Sequence, residues 1–296
     1  MENQYVGDRP KNYYRRRIAA IFVFAIFFIF LGRNLTFIPK VNLYDATPDR
    51  LRSDVQKIIK GKPGFYSIYY KDLKSGSSFG INENQIETAA SVNKVPIVAT
   101  LYYLASHNKL DLDEKVTIGK EEVQDYGTGS IRYQKLPVTY SLRDLARLSL
   151  QESDNTAAHV LGVRLGTDVI QNMVNSWKMV STNMENNKTT TYDMSILFQK
   201  IYNNEIANPA LTREFLGFMK NTDFEDRLTR NLPKGVIVYH KAGDGEGFVH
   251  DDGVVEYKNG KAYYLGVMTS DIGDTQEKTK STIGQISKKI YDTLSQ

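Results

Sequence analysis

The chain has 296 residues, of which 41% are apolar, so it can bury a sizeable globular core. It contains no cysteine, which excludes disulfides, thiolate nucleophiles and thiolate metal sites. Its histidines show neither HxH nor HExxH spacing, so we predict no metal site and no cofactor. The four histidines are His107, His159, His240 and His250.

The net charge of +4 is confined to the N-terminal part of the chain. Residues 1–47 carry seven basic and three acidic side chains, whereas the remaining residues carry 31 of each. A globular part without excess positive charge does not attract a polyanion, so nucleic-acid binding is not expected.

An unbroken apolar run covers residues 18–31 and follows three consecutive arginines, Arg15, Arg16 and Arg17. As a helix this run would span about 21 Å, and extending it to residue 38 gives the length that a hydrocarbon core of about 30 Å requires. We therefore predict a cytoplasmic basic segment (1–17), a transmembrane anchor (18–38) and a linker (39–47). Because the arginines stay inside, residues 40–296 are expected outside the cytoplasm.

A cleaved secretory signal peptide is the alternative interpretation of this segment. The length of the apolar run fits it, but Leu31-Gly32-Arg33 is a poor cleavage site. Both interpretations export the rest of the chain.

Hydrophobic periodicity and turn residues predict the elements of the remaining chain. Helices are predicted at 48–60, 92–105, 141–151, 155–165, 193–202 and 275–294. Strands are predicted at 65–73, 78–81, 236–240, 253–257 and 262–269, the last two joined by Asn259-Gly260. This order predicts an α/β (α+β) fold with an antiparallel sheet built from both chain ends, flanked by helices, and an inserted all-helical subdomain.

An S-x-x-K motif stands at Ser91-Val92-Asn93-Lys94, where a polar stretch changes into an apolar helix. One helical turn brings Ser91 and Lys94 together, so the amine can take the serine proton. Ser106 and Lys109 form a second match, but at the C-terminal end of the same helix, where the dipole opposes an oxyanion. Pro96 does not fit this helix well, since it removes an early backbone hydrogen bond.

Two further short motifs follow, and each has a purely structural interpretation. Ser153-Asp154-Asn155 precedes a helix, and all three residue types are good helix caps. Lys241-Ala242-Gly243 follows the predicted strand 236–240, where a lysine can simply be exposed at a strand end. Either motif alone favours the structural interpretation.

The three motifs together resemble the S-x-x-K, S-D-N and K-[TS]-G set of class A β-lactamases and penicillin-binding proteins. The third motif is K-A-G in this chain. Four other stretches are similar to the family as well. They are Gly127-Thr128-Gly129-Ser130, the helix Leu142–Leu150 before S-D-N, the segment Thr189 to Met194, and His250-Asp251-Asp252-Gly253. The resemblance covers residues 48–296 and implies a serine hydrolase domain.

The resemblance implies four catalytic residues. Ser91 would attack the carbonyl of a β-lactam or of a peptidoglycan-type acyl-D-alanyl peptide, and Lys94 would accept its proton. Ser153 would relay a proton to the leaving nitrogen, assisted by Lys241. A free lysine is protonated at pH 7, so the pKa of Lys94 must fall from about 10.4 to near 7.

The resemblance also implies the residues that bind substrate. Asn155 would hold the side-chain amide of the substrate. The backbone amides of Ser91 and Asp244 would form the oxyanion hole, and Ala242 and Gly243 would line the site beside them.

Two features depart from the family. A class A β-lactamase carries a glutamate that activates the deacylating water, in a loop between S-D-N and the later helix. Here the segment from Val180 to Lys188 is short and lacks that pattern, and its only glutamate, Glu185, is expected in solvent. Ala242 removes the hydroxyl that usually helps to bind the substrate carboxylate.

The sequence therefore predicts a membrane-anchored, extracytoplasmic serine hydrolase that forms an acyl-enzyme and releases it slowly. D,D-peptidase activity fits the same residues. A wall-binding or β-lactam-sensing ectodomain without turnover is the non-enzymatic alternative.

Overall fold

The computed structural model describes Phe22, residues 47–257 and residues 260–295. The predicted segments 1–17, 18–38 and 39–47 lie, apart from Phe22 and Thr47, outside the described residues. Within the described part of the chain, no helix combines the length and the apolar character needed to cross a membrane. The segment boundaries of the N-terminal part remain predictions.

The described elements follow one another in this order: α1 (Thr47–Ile59), β1 (Phe65–Asp72), β2 (Ser78–Ile81), β3 (Glu87–Thr88), a 3₁₀ turn (Ala90–Asn93), α2 (Lys94–Ser106), β4 (Lys115–Ile118), a 3₁₀ turn (Ile131–Tyr133), β5 (Val138–Ser141), α3 (Leu142–Gln151), α4 (Asn155–Leu165), α5 (Thr167–Ser176), β6 (Lys188–Thr189), α6 (Thr191–Tyr202), α7 (Pro209–Phe218), β7 (Val238–Gly245), β8 (Phe248–Tyr257), β9 (Lys261–Ser270) and α8 (Gln276–Ser295).

A five-stranded sheet with the order β2-β1-β9-β8-β7 takes its strands from both ends of this order. Every neighbouring pair is antiparallel. Side chains alternate between its faces. Ile68 and Leu265 face a core formed with α1 and α8, and Tyr69 and Tyr264 face a core that includes α6.

A helical region lies between β2 and β7 in the chain. Its centre is α2, in which Val95, Val98, Leu101 and Tyr102 are fully buried. A helix that is apolar on most of its surface must be enclosed by other elements, and α3, α4, α5 and α7 supply them. The antiparallel sheet from both chain ends with an inserted helical subdomain is therefore confirmed.

Some predicted element boundaries are wrong. The strand predicted at 236–240 runs instead over Val238–Gly245, so the K-A-G motif lies within β7 rather than after it. Because β7 is an edge strand, glycine and polar residues are tolerated there. The helix predicted from residue 92 begins at Lys94, which places Pro96 in its first turn, where its missing N–H costs no helical hydrogen bond.

Candidate active site

Ser91 lies in the 3₁₀ turn Ala90–Asn93, which leads directly into α2. Ala90, the residue before it, has a φ of 48°, a left-handed conformation that a non-glycine residue keeps only where the surrounding structure holds it. Ser91 is half-buried and lines a cavity of about 990 Å³. The helix N-terminus that follows favours negative charge close to the serine.

Strand β7 passes close to this turn at Gly243. A Cβ atom at position 243 would lie 3.2 Å from the Ala89 carbonyl oxygen and 3.2 Å from Cγ2 of Val92. A larger side chain would push β7 away, so the glycine lets the backbone of residues 243–244 approach the turn that carries Ser91.

Lys94 is buried in the first turn of α2, and its Nζ atom donates to three acceptors of the S-D-N motif. These are the Ser153 carbonyl oxygen at 2.5 Å, the Ser153 Oγ atom at 3.1 Å and the Asn155 Oδ1 atom at 2.7 Å. Burial lowers the pKa of Lys94 to about 7, against the opposing attraction of the Asp154 carboxylate. A substantial fraction of Lys94 is therefore neutral at pH 7, as a general base requires.

The hydrogen bonds of Lys94 do not include Ser91. Among the described residues, none joins Lys94 Nζ to Ser91 Oγ, although both residues line the same cavity. Catalytic hydrogen bonds often form only when substrate is bound. The role of Lys94 as the base for Ser91 therefore remains a prediction.

Ser153 links the two lysines of the site. It has a φ of 54° and is 2% exposed. Its Oγ atom accepts from Lys94 Nζ at 3.1 Å and from Lys241 Nζ at 2.9 Å. A hydroxyl has two acceptor positions and one proton to donate. With both acceptor positions filled by amines, the Ser153 proton is the one that remains for a leaving group.

Lys241 is fully buried in β7. Besides Ser153 Oγ, its Nζ atom donates to the Ala242 carbonyl oxygen at 3.0 Å and lies 5.4 Å from the centre of the Phe224 ring. Burial, and then the nearby Lys94 amine, lower the pKa of Lys241 well below its usual value. The Lys94 amine therefore disfavours the charged form of Lys241 across the Ser153 hydroxyl.

Asp154 and Asn155 fix the S-D-N turn. Asp154 is the N-cap of α4, and its carboxylate accepts from the backbone amides of Ala157 at 2.8 Å and Ile131 at 2.9 Å. Asn155 accepts from Lys94 and donates from Nδ2 to the Tyr126 carbonyl oxygen at 2.9 Å. One N–H of the Asn155 amide is left over for a substrate.

The loop before β5 packs against this turn through two glycines. A Cβ atom at Gly127 would lie 2.4 Å from Nδ2 of Asn155, and one at Gly129 would lie 2.2 Å from Cγ of Asp154. Thr128, between them, donates from Oγ1 to the Ser153 carbonyl oxygen at 2.8 Å. The Gly-Thr-Gly stretch is thus explained by close packing around the site.

The remaining predicted substrate-binding residues lie along β7. Ala242 is 4% exposed and offers only a methyl group. Asp244 is exposed and its carboxylate binds the buried Arg227 guanidinium through two hydrogen bonds of 2.6 and 2.9 Å. Arg227 belongs to none of the predicted motifs, and the sequence analysis missed it.

The cavity has a volume of about 990 Å³ and extends from Ser91 along α4 as far as Thr167. Glu185 contributes to its wall from the loop that an Asn183–Lys188 bridge closes. The Glu185 side chain is exposed, as expected, but its place on the cavity wall was not foreseen.

The rival S-x-x-K match has a structural role. Ser106 Oγ accepts a hydrogen bond of 2.9 Å from the backbone amide of Asn208, the N-cap of α7. Lys109 is exposed and lies outside the cavity that Ser91 lines. The geometry therefore favours Ser91 over Ser106 as the serine of the functional S-x-x-K motif.

His240, directly before Lys241, is a buried charged residue that the sequence analysis missed. Its Nδ1 lies 2.8 Å from Asp251 Oδ1 and its Nε2 lies 3.2 Å from Glu225 Oε1. Burial opposes the charged form, but the attraction of Asp251 and Glu225 outweighs it and raises the pKa of His240 to about 9. The imidazolium donates from both nitrogens and fixes β7 next to Lys241.

The structure thus brings Lys94, Ser153, Asn155 and Lys241 into one hydrogen-bonded group, with Ser91 on the adjoining cavity wall. Ala242, Gly243 and Asp244 follow Lys241 on the same strand. The catalytic and binding roles assigned to these residues remain predictions.

Comparisons with known proteins identify the family to which the chain belongs. A model of the β-lactamase enzyme family matches residues 50–294. β-Lactamase VEB-1 of Pseudomonas aeruginosa is 23% identical over 276 residues, which cover 84% of this chain and 91% of that protein. A β-lactamase of Bacteroides uniformis is also 23% identical, over 82% of this chain and 91% of that protein.

Solved structures share the fold. PBP-A has a TM-score of 0.77 at 27% identity, over 83% of this chain and 96% of PBP-A. The TLA-3 extended-spectrum β-lactamase has a TM-score of 0.79 at 21% identity, over 84% of this chain and 100% of that chain, a likeness of fold. Because the family model covers most of its length, the chain belongs to the β-lactamase enzyme family and is a serine hydrolase, as its motifs predicted.

Proposed function

We propose that this protein forms an acyl-enzyme on Ser91 with β-lactams or acyl-D-alanyl peptides and hydrolyses it slowly. The observation that carries the proposal is the Ser153 hydroxyl, which two buried amines hold at the cavity that Ser91 lines. A relative supports the chemistry, since one structure of a PBP-A point mutant is an acyl-enzyme complex with penicillin G.

In the acylation step, neutral Lys94 takes the Ser91 proton as Oγ attacks the carbonyl carbon. The backbone amides of Ser91 and Asp244 bind the negative charge that develops on the carbonyl oxygen. When the carbon–nitrogen bond breaks, the Ser153 hydroxyl gives its proton to the leaving nitrogen. The Lys94 ammonium restores that proton through its 3.1 Å contact, so the protons balance.

The deacylation step lacks an obvious base. Within the described residues, the carboxylates that line the cavity belong to Glu185 and Asp244. Arg227 holds Asp244, and no hydrogen bond among the described residues ties Glu185 to Ser91 or to a lysine of the site. Hydrolysis of an ester on Ser91 would therefore proceed without strong general-base assistance, and we expect it to be slow.

Intact-mass and peptide mass spectrometry of the full-length chain with benzylpenicillin test this proposal. We expect one adduct, on the peptide that contains Ser91, with a burst of one equivalent followed by slow turnover. Ser91→Ala should abolish the adduct, and the matched control Ser106→Ala should keep it. An adduct that survives Ser91→Ala would contradict the assignment.

Complete failure to label would instead favour the non-hydrolytic wall-binding or sensing ectodomain. Release of D-alanine from an acyl-D-alanyl-D-alanine peptide is the parallel assay for peptidase activity. It should depend on Ser91 in the same way.

We also propose that residues 18–38 anchor the protein in the cell membrane, with residues 48–296 outside the cytoplasm. The arginines Arg15, Arg16 and Arg17 before the apolar run support this orientation. Protease treatment of intact cells should remove the hydrolase domain and leave the N-terminus protected. A mature protein that begins after residue 31 would contradict the anchor and indicate a cleaved signal peptide.

A further inference from the structure

The cavity that Ser91 lines continues beyond the reactive groups, along one face of α4. The residues on this face recur at helical spacing from Asn155, the first residue of α4, to the turn that follows the helix. After Asn155 they are Ala158, His159, Gly162, Val163, Gly166 and Thr167. At a rise of 1.5 Å per residue, the face from Asn155 to Gly166 is about 16 Å long. We call this part of the cavity the α4 groove.

Gly162 lies at the middle of the α4 groove. Inside a helix, glycine lowers stability relative to alanine, so its presence needs a reason. A Cβ atom at position 162 would meet nothing within 4 Å outside its own stretch of helix. Close packing therefore does not require this glycine, in contrast to Gly284 of α8, whose Cβ atom would lie 2.8 Å from Asn231 Nδ2. A glycine on a cavity wall lets a ligand approach the helix closely.

A short loop forms the opposite side of the groove, and the Asn183–Lys188 bridge closes it. The Met184 amide donates to Gln171 Oε1 of α5 at 2.9 Å. At the other end of the loop, the Asn187 carbonyl oxygen accepts from the Ala89 amide at 2.8 Å, next to the 3₁₀ turn that carries the nucleophile. The loop is thus attached at both ends, and the groove between it and α4 has two defined sides.

The side chains of the α4 groove suit an uncharged peptide. Val163 is 71% exposed and offers an apolar surface, and Met184 faces the same cavity. His159 and Thr167 add hydrogen-bonding groups. Within the described chain, α4 brings no lysine, arginine, aspartate or glutamate to the cavity wall. A mixture of apolar and hydrogen-bonding groups matches a peptide better than a charged or purely hydrocarbon chain.

We propose that the α4 groove binds the acyl side of the donor as an extended peptide. Asn155 is both the predicted partner of the acyl-side amide and the first residue of α4, so an acyl segment that passes Asn155 enters the groove. An extended chain advances about 3.3 Å per residue, so the groove holds about five residues. The inference rests on the proposed attack by Ser91 and adds the length of the acyl segment to it.

A series of thioester donors that differ only in acyl length tests the groove. Each is an N-acetyl peptide of alanines that ends in D-alanyl thioglycolate, with one to seven residues. Thiol release by the full-length chain measures the rate of Ser91 acylation, which is divided by the rate of each donor with hydroxide. We expect the rate to rise with length, to level off near five residues and to gain about tenfold in all, because contacts remote from the reacting bond add to the rate. A rate independent of length would overturn the inference and leave the proposed function standing.

Gly162→Leu should fill the groove and bring the rates of the five-residue and one-residue donors to within about twofold of each other. The leucine meets open space and raises helix propensity, so we expect the variant to melt cooperatively. Gly217→Leu is the matched control, since Gly217 of α7 also has open space at its Cβ position but does not line the cavity, and it should keep the tenfold ratio. A folded Gly162→Leu chain that keeps this ratio would overturn the inference. If the variant does not fold, the length series in the wild-type chain decides.

Calorimetric titration of the Ser91→Ala chain with the oxygen-ester forms of the one-residue and five-residue donors separates the two proposals. Tighter binding of the longer donor, lost when Gly162→Leu is added, supports the groove even if the wild-type chain shows no acylation. In that case only the proposed function fails. Equal affinities, tighter binding of the shorter donor, or no binding of either would overturn the inference.

Discussion

The cavity has two walls of opposite character. On the amine wall, Lys94 and Ser153 line the cavity and Lys241 lies behind them. Each is no more than 6% exposed, and the Ser153 hydroxyl joins the two amines. On the loop wall, Glu185 is exposed on a short turn. The difference shows that the lysines, which need a shifted pKa, are buried in the core, whereas Glu185, the carboxylate of the loop wall, is exposed to solvent.

Burial is what makes the amine wall reactive. Removing a lysine from water disfavours its charged form, so the same packing that encloses α2 also lowers the pKa of Lys94. A carboxylate that activates a water must be held in position beside the ester, and no hydrogen bond among the described residues holds Glu185 there. The two walls therefore predict fast acylation and slow release.

The largest effect is expected when the Lys94 amine is removed from the amine wall. Lys94→Ala removes the base for Ser91 and should slow acylation by benzylpenicillin about 10²- to 10⁴-fold. Stopped-flow labelling measures the rate. The matched control is Lys109→Ala in the rival motif, which should keep the wild-type rate. If Lys94→Ala acylates within threefold of wild type while still melting cooperatively, Lys94 is not the base.

A smaller effect should appear in the pH dependence of acylation. The reactive form of Lys94 is neutral, and the neutral fraction rises as the pH increases through the pKa of about 7. The rate should therefore be half-maximal near pH 7 and fall about tenfold for each further pH unit below 6. A rate that is flat between pH 5 and pH 8, or that falls as the pH rises, would show that Lys94 does not act as a neutral base.

Much of the fold could be predicted from the sequence where local signals were strong. The helix at 155–165 and the strand at 78–81 match α4 and β2, because caps and turns mark their ends. Helix α7 was missed although Asn208 and Pro209 mark its start. Strands β3 and β6 could not be found, since each has two residues and their partners, such as Glu87 and Thr189, are distant in the sequence.

The candidate site also contains residues that the sequence predicts and residues that it does not. Ser91, Lys94, Ser153 and Lys241 were predicted from three short motifs, because these motifs together resemble the set of a known family. Arg227 and His240 were missed because their partners, Asp244 and Asp251, meet them only through the tertiary fold. No local pattern marks a buried ion pair, so such groups emerge only when the packing is known.

The smallest expected effect concerns the loop wall. Glu185→Gln removes the charge with almost no change in shape, and Glu185 has no hydrogen bond among the described residues that would position it as a base. We therefore expect the steady-state turnover of benzylpenicillin after the burst to change less than twofold. Efficient general-base assistance would raise the rate of deacylation about 10²- to 10⁴-fold. The loss of a base is therefore easily distinguished from a change of less than twofold. If Glu185→Gln instead stabilises the acyl-enzyme a hundredfold or more in mass spectra taken over time, the cavity wall position of Glu185 matters more than its exposure, and the loop supplies the base after all.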